Sequence, residues 1–149
     1  MSTSSEKPTI FVTRRWPDAA EDALKQYFKP SFNVDDAPLT VAQIAAGFAS
    51  HDALAPTVSD QITSDIIAAG AAGSGRLIAN FGVGVNHIDL SAAASAGLTV
   101  ANTPGVLTDA TADLTLTLML MISRRAGEGE RELRAGAWAG WRPTHLMGR

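Results

Sequence analysis

Asn80-Phe81-Gly82-Val83-Gly84-Val85-Asn86-His87-Ile88-Asp89, followed at a set distance by Asn102-Thr103-Pro104-Gly105, decides the fold. The first stretch reads as a strand that ends in a glycine-rich turn and leads into a helix. The second ends a short strand in an X-Pro bend. Turns of this kind in α/β proteins meet anionic ligands, because bare backbone N–H groups point outward and the helix N-terminus favours negative charge. A tight turn that binds nothing is the structural alternative.

Working outward, strand and helix signals alternate. Thr9-Ile10-Phe11-Val12-Thr13 is β-rich, and Pro17 with Asp18 opens a helix carrying Ala20, Leu24, Tyr27 and Phe28 on its apolar stripe. Phe32-Asn33-Val34 is a weak second strand, and Thr40 N-caps a helix through Ala49. Ala53-Leu54-Ala55 is a strand stopped by Pro56, and a helix over residues 62–69 follows, with Asp60 near its start. Residues 77–81 and 98–101 are the last two strands, around an alanine-rich helix capped by Asp89 and ended by Gly97. Five such alternations imply an α/β fold with a parallel sheet and helices on both faces. Ligands of such sheets sit at the strands' carboxyl ends, where Gly82-Val83-Gly84 and Asn102-Thr103-Pro104 both lie.

Residues 113–122 alternate leucines as a strand does, yet Leu114, Leu118 and Met121/Ile122 also fit helical spacing. With Thr108 and Asp109 as a start signal, one long helix from about Asp109 towards Ala135 is expected. Its middle is apolar all round and must be covered, either in an ordinary core or at a dimer or interdomain interface, with periodicity favouring neither.

The bulk properties narrow the function classes. The 149 residues suffice for one domain with a real core, and a net charge of −3 gives no reason to expect nucleic acid or an anionic membrane as partner. The absence of cysteine excludes disulfides, thiol nucleophiles and thiolate metal sites. The polar start lacks the apolar core of a secretion signal, and no apolar run can span a bilayer, so the default expectation is a cytoplasmic protein. Residues 1–123 hold six Lys/Arg against twelve Asp/Glu, whereas residues 124–149 hold six Arg against three Glu. A solvated, salt-bridged helix end accounts for the basic segment more readily than an arm reaching another surface. Trp138, Trp141 and Pro143 form an aromatic arm that packs either on its own domain or on a partner.

The dinucleotide fingerprint Gly-x-Gly-x-x-Gly needs a small third residue and an acid ending the next strand. Here the third position is His87, and the strand ends in Ala101-Asn102, which argues against a nucleotide site. The turn is still suited to a carboxylate, held by the N–H groups of Val83 and Gly84. His51, His87 and His145 have no partners at nucleophile or metal spacing, and a phosphate-accepting receiver is disfavoured by Arg14-Arg15 and Ala55-Pro56 where its acids would stand.

At residues 80–89 and 100–113, at Arg124-Arg125 and at Trp138-x-x-Trp141-x-Pro143, the chain resembles the D-isomer-specific 2-hydroxyacid dehydrogenases. It is most similar to their glyoxylate/hydroxypyruvate (D-glycerate) reductase branch, departing at Asn86, where the family often has Asp. The resemblance implies a flavodoxin-like substrate-binding domain over residues 1–107. Residues 108–149 would be an interdomain and dimerisation helix with an aromatic arm leading to an NAD(P)-binding domain absent from this chain. It implies that Val83 and Gly84 hold the substrate carboxylate, that Val58 lines the pocket, and that Trp141 reaches a neighbouring subunit's site in a homodimer. Thr111 would lie near the nicotinamide of NAD or NADP. In the family the nucleotide fold begins just after a motif like Leu146-Met147-Gly148-Arg149, and the catalytic Arg, Glu and His come later, so no catalytic residue is expected within these 149. The expectation is therefore the N-terminal part of an NAD(P)H-dependent reductase of small 2-oxo acids, inactive alone. The alternatives are a non-catalytic carboxylate-binding or dimerisation module, or a plain fragment with an aggregation-prone face over residues 114–122.

Overall fold

The computed structural model describes residues 6–144. His145 and the motif at 146–149 lie outside the described residues. The chain divides into two compact units, one ending at Pro104 and the other starting at Gly105.

The first unit is a parallel sheet wound with helices. In chain order the elements are β1 (Thr9–Val12), α1 (Asp18–Tyr27), β2 (Lys29–Phe32), α2 (Val41–Ala49), β3 (Ala53–Ala55), α3 (Ser64–Ala72), β4 (Leu77–Ala79), α4 (Leu90–Ser95) and β5 (Thr99–Ala101). The strands lie in the order β2-β1-β3-β4-β5, and every pairing is parallel. This is the flavodoxin-like order of doubly wound sheets.

Period-two alternation sorts the strands' side chains onto two faces. Leu54 and Ile78 face α2, α3 and α4, where Ile44, Phe48, Ile66, Ile67 and Ala93 complete one buried cluster. Ile10, Val12, Ala53 and Ala55 form the other, against which Trp16, Leu24 and Phe28 of the α1 side pack. β3 is central and buried along its whole length.

Local signals explain several helix ends. Thr40 caps α2 in a capping box with Gln43, and the Asp89 carboxylate accepts from the Ala92 N–H at 2.9 Å at the start of α4. Gly97 follows α4 at φ +70°, a left-handed conformation that glycine adopts without strain. α2 and α3 meet closely because Gly70 presents no side chain: a Cβ there would lie 2.3 Å from the Phe48 ring.

Three expectations need correction. β2 runs over Lys29–Phe32 rather than Phe32-Asn33-Val34; its Pro30 is tolerated because β2 is an edge strand. α3 starts at Ser64, two residues later than expected, because Ile62 is tied to Ile88 in an isolated parallel bridge. The single long helix after residue 108 is two helices, α5 (Thr108–Ser123) and α6 (Ala126–Arg134). Arg125 breaks it by taking a left-handed conformation at φ 53°, with its guanidinium paired to Glu128 in the first turn of α6.

In the second unit no residue of α5 or α6 is buried. Leu114, Leu116, Leu118, Met119, Leu120, Met121 and Ile122 are all exposed along α5. α6 carries acid early and Arg131 and Arg134 in its last turn, which matches the helix dipole.

Candidate functional site

Five connections leave the carboxyl edge of the sheet in the first unit, and polar groups tie those after β1, β3, β4 and β5 into one frame. Thr13, just after β1, donates its hydroxyl to Asp60 Oδ2 at 2.6 Å, and the Thr57 N–H donates to the same oxygen at 2.8 Å. Asp60 thus does more than lie near the start of α3. It is a buried clasp between the loops after β1 and β3. The Phe81 N–H donates to Pro56 O at 2.9 Å, and the Ile62 N–H donates to His87 O at 2.8 Å, which binds the loop after β3 to the loop after β4. The Trp16 and Phe81 rings stack with centroids 4.8 Å apart.

The glycine turn itself is held from beneath by Asn80, which is 3% exposed. Asn80 Nδ2 donates to Gly82 O at 3.1 Å and to Gly84 O at 2.9 Å. Its Oδ1 faces His87 Nε2 at 2.9 Å. From the next strand, Asn102 Nδ2 donates to Val83 O at 2.8 Å, and the Thr103 N–H donates to Gly82 O at 3.1 Å. Every carbonyl from 82 to 84 is therefore satisfied from inside. Among the described residues the N–H groups of Val83 and Gly84 have no acceptor.

Neither Gly82 nor Gly84 sits at positive φ. A Cβ at Gly82 would lie 2.9 Å from Val58 Cγ1, whereas a Cβ at Gly84 would meet nothing within 4 Å. The fold therefore does not require glycine at 84. The space above it is open, in a cleft of about 320 Å³ lined by Val58, Gln61, Gly84, Asn86 and His87. A similar hollow beside it shares Gln61, Asn86 and His87 and runs to the N-termini of α3 and α4.

The electrostatics disfavour a polyanion at the start of α4. His87 is held below the ordinary imidazole value by burial, against the opposing pull of the Asp60 charge. Asp89 is held below the usual carboxylate range by the Ser91 hydroxyl and the Ala92 amide. A carboxylate so stabilised already occupies the α4 N-terminus and would repel a pyrophosphate there. With His87 in place of the third glycine as well, the described residues do not fit a dinucleotide on this turn. No group of three or more metal-ligating side chains is present among them.

Of the residues expected from the sequence, Val58 and Gly84 line one cleft, and Val83 stands beside Gly84 with its own N–H free of protein partners. Thr111 and Trp141 belong to the second unit; Thr111 O accepts from the Thr115 hydroxyl at 2.7 Å within α5, and Trp141 is 81% exposed. The supporting roles of Asn80, Asp60 and Asn102 were not legible in advance. For the two asparagines the available signal is shared position: they are the first residues after β4 and β5, as Thr13 is after β1.

Residues 10–140 match the family model for the D-isomer specific 2-hydroxyacid dehydrogenase catalytic domain. A glyoxylate reductase of Korarchaeum cryptofilum is 34% identical over 143 residues, covering 95% of this chain and 42% of that protein. A glycerate dehydrogenase of Hyphomicrobium methylovorum is 32% identical, covering 95% and 44%. Among solved structures, the TT0316 protein of Thermus thermophilus superposes with a TM-score of 0.83 at 38% identity, over 94% of this chain and 44% of that one. An NADPH-dependent glyoxylate/hydroxypyruvate reductase of Sinorhizobium meliloti, in complex with NADP and malonate, does so with a TM-score of 0.73 at 28% identity, over 89% and 40%. The chain spans less than half the length of the relatives it matches.

Proposed function

This chain belongs to the D-isomer specific 2-hydroxyacid dehydrogenase family, and from that premise we propose that it is the substrate-binding portion of an NAD(P)H-dependent reductase of glyoxylate or hydroxypyruvate. The observation that carries the reading is the unsatisfied N–H groups of Val83 and Gly84, beside a cleft that Gly84 lines and in which glycine at 84 leaves room. Two such donors match the two oxygens of a carboxylate, and charge-assisted bonds are the stronger kind. Gripping the carboxylate fixes where the adjacent 2-oxo group lies, which is the positional contribution this half of the protein makes to hydride transfer. Val58 forms the apolar wall beside the small acid.

The remaining assignments follow from family membership. Thr111 borders the nicotinamide, Trp141 reaches a partner's substrate site, α5 packs in a homodimer, and the protein works in the cytoplasm. The 149 residues alone bind the acid without reducing it, since their glycine turn suits a carboxylate and not a dinucleotide. The malonate-bound reductase supports the carboxylate part of the reading, being a relative whose complex contains a small carboxylic acid.

The test is an amide-resolved NMR titration of the 15N-labelled chain with glyoxylate. Two exposed charge-assisted bonds predict saturable shifts at Val83 and Gly84 with a dissociation constant of about 1 mM. Gly84→Asp puts a like charge into open space and should abolish the response while leaving the fold intact. Unmoved Val83 and Gly84 signals in the wild-type chain would defeat the assignment, and turnover of glyoxylate with NADPH by this chain would defeat the claim that it only binds.

A further inference from the structure

We propose that His87 is the positioning residue of the glycine turn: by locking the side-chain amide of Asn80, it helps turn the Val83 N–H outward, beside the cleft that Gly84 lines. The inference rests on the carboxylate reading above and names the device behind it.

The argument starts from peptide geometry. All peptide bonds in the described residues are trans, so each carbonyl and the N–H that follows it point in opposite directions. Asn80 draws Gly82 O inward, which turns the Val83 N–H outward. It also draws Gly84 O inward, which turns the Val85 N–H the same way. Asn102 draws Val83 O to itself and so turns the Gly84 N–H away from β5. Asn80, together with the Thr103 N–H that also reaches Gly82 O, thus aims the Val83 donor, and Asn102 aims that of Gly84.

Asn80 can do this only with its nitrogen towards the turn. An amide flipped end for end would set its oxygen against two carbonyl oxygens. His87 removes that alternative. Its Nε2 lies 2.9 Å from Asn80 Oδ1, and an amide oxygen only accepts, so Nε2 carries the hydrogen. Nδ1 is then the nitrogen that titrates, and protonation there leaves the Nε2–H bond intact. Burial favours the neutral ring, and Asp60 is the charged neighbour that opposes it. The same ring lines the cleft with Gly84 and Val58, so one side chain joins the turn's support to the ligand space.

Three forms of the 15N-labelled 149-residue chain test this: wild type, His87→Leu and His87→Gln, the last keeping an N–H donor at comparable reach. Without ligand, His87→Leu is expected to move the Val83 and Val85 amide signals much more than that of Gly84, which Asn102 aims. In glyoxylate titrations it should weaken binding about tenfold, as loss of one positioning hydrogen bond does. His87→Gln should restore both readings. Wild-type shifts and affinity in His87→Leu, or no rescue by glutamine, would overturn the proposal. If the leucine variant does not fold, imidazole 15N spectra of the wild type decide: a hydrogen on Nε2 is required, and the Nδ1–H tautomer refutes it. If the wild type fails to bind glyoxylate, the carboxylate reading falls, while the ligand-free shifts still judge the role of His87.

Discussion

Asp52, on the far edge of the sheet, shows how a single side chain makes stability depend on pH. Its Oδ2 accepts from the Thr9 N–H at 2.8 Å and from the Thr9 hydroxyl at 2.7 Å, joining β1 to the start of β3. These bonds hold its carboxyl below the ordinary value. A depressed folded value gives stability that is present above the unfolded carboxyl value of about 3.9 and drains away as pH falls through the folded one. Thr9→Val keeps the Thr9 N–H bond to Oδ2 and removes both bonds of the hydroxyl, its donation to Oδ2 and its acceptance from the Asp52 N–H at 3.0 Å. Urea unfolding should therefore show the wild type ahead of Thr9→Val at pH 6, with the gap narrowing as pH falls below the ordinary carboxyl value and the pH-independent share from the Asp52 N–H remaining. At this scale the turn that carries Val83 and Gly84 is legible because glycine turns announce themselves locally, whereas Val58 enters only through the family resemblance. The sequence hides Asn80–His87, which needs the loop after β4 to fold back on itself, and Thr13–Asp60, which forms only when loops 47 residues apart are brought together.

At the scale of elements, α2 and α3 illustrate how a missing side chain sets a packing distance. Phe48 is fully buried, and its ring occupies the place a Cβ on Gly70 would need. Gly70→Ala improves helix propensity by about 1 kcal/mol yet forces the ring aside in a close-packed interior. Overpacking of this kind costs about 1–3 kcal/mol, so a net loss of stability is expected, read as a lower urea midpoint with unchanged slope. Helix starts and stops were legible where chemistry is local: Thr40, Asp89 and Gly97 each act as their residue type suggests. Boundaries set by distant partners were not. The bridge from Ile62 to Ile88 overrides the helical spacing that begins at residue 62. The left-handed Arg125 divides a run of helix formers that periodicity reads as continuous.

For the whole molecule, strand and helix alternation was enough to establish the α/β class, and the order β2-β1-β3-β4-β5 follows the flavodoxin-like pattern implied by the family resemblance. The second unit could not be read in the same way, since an apolar helix looks alike in sequence whether its cover comes from its own domain or from a partner. α5 exposes Leu118 and Leu120 with five other large apolar side chains and buries none of its residues. A row of this kind marks an association surface, so sedimentation should show the chain paired at micromolar concentration, and Leu118→Glu with Leu120→Glu should return it to single copies. Short helices without a packed face are marginal in water. α5 should accordingly gain its helical order as two chains collide, which makes its melting a second-order process. Its far-ultraviolet signal should fade on dilution, and its midpoint should climb with the logarithm of protein concentration, while the sheet of the first unit melts at a temperature indifferent to it.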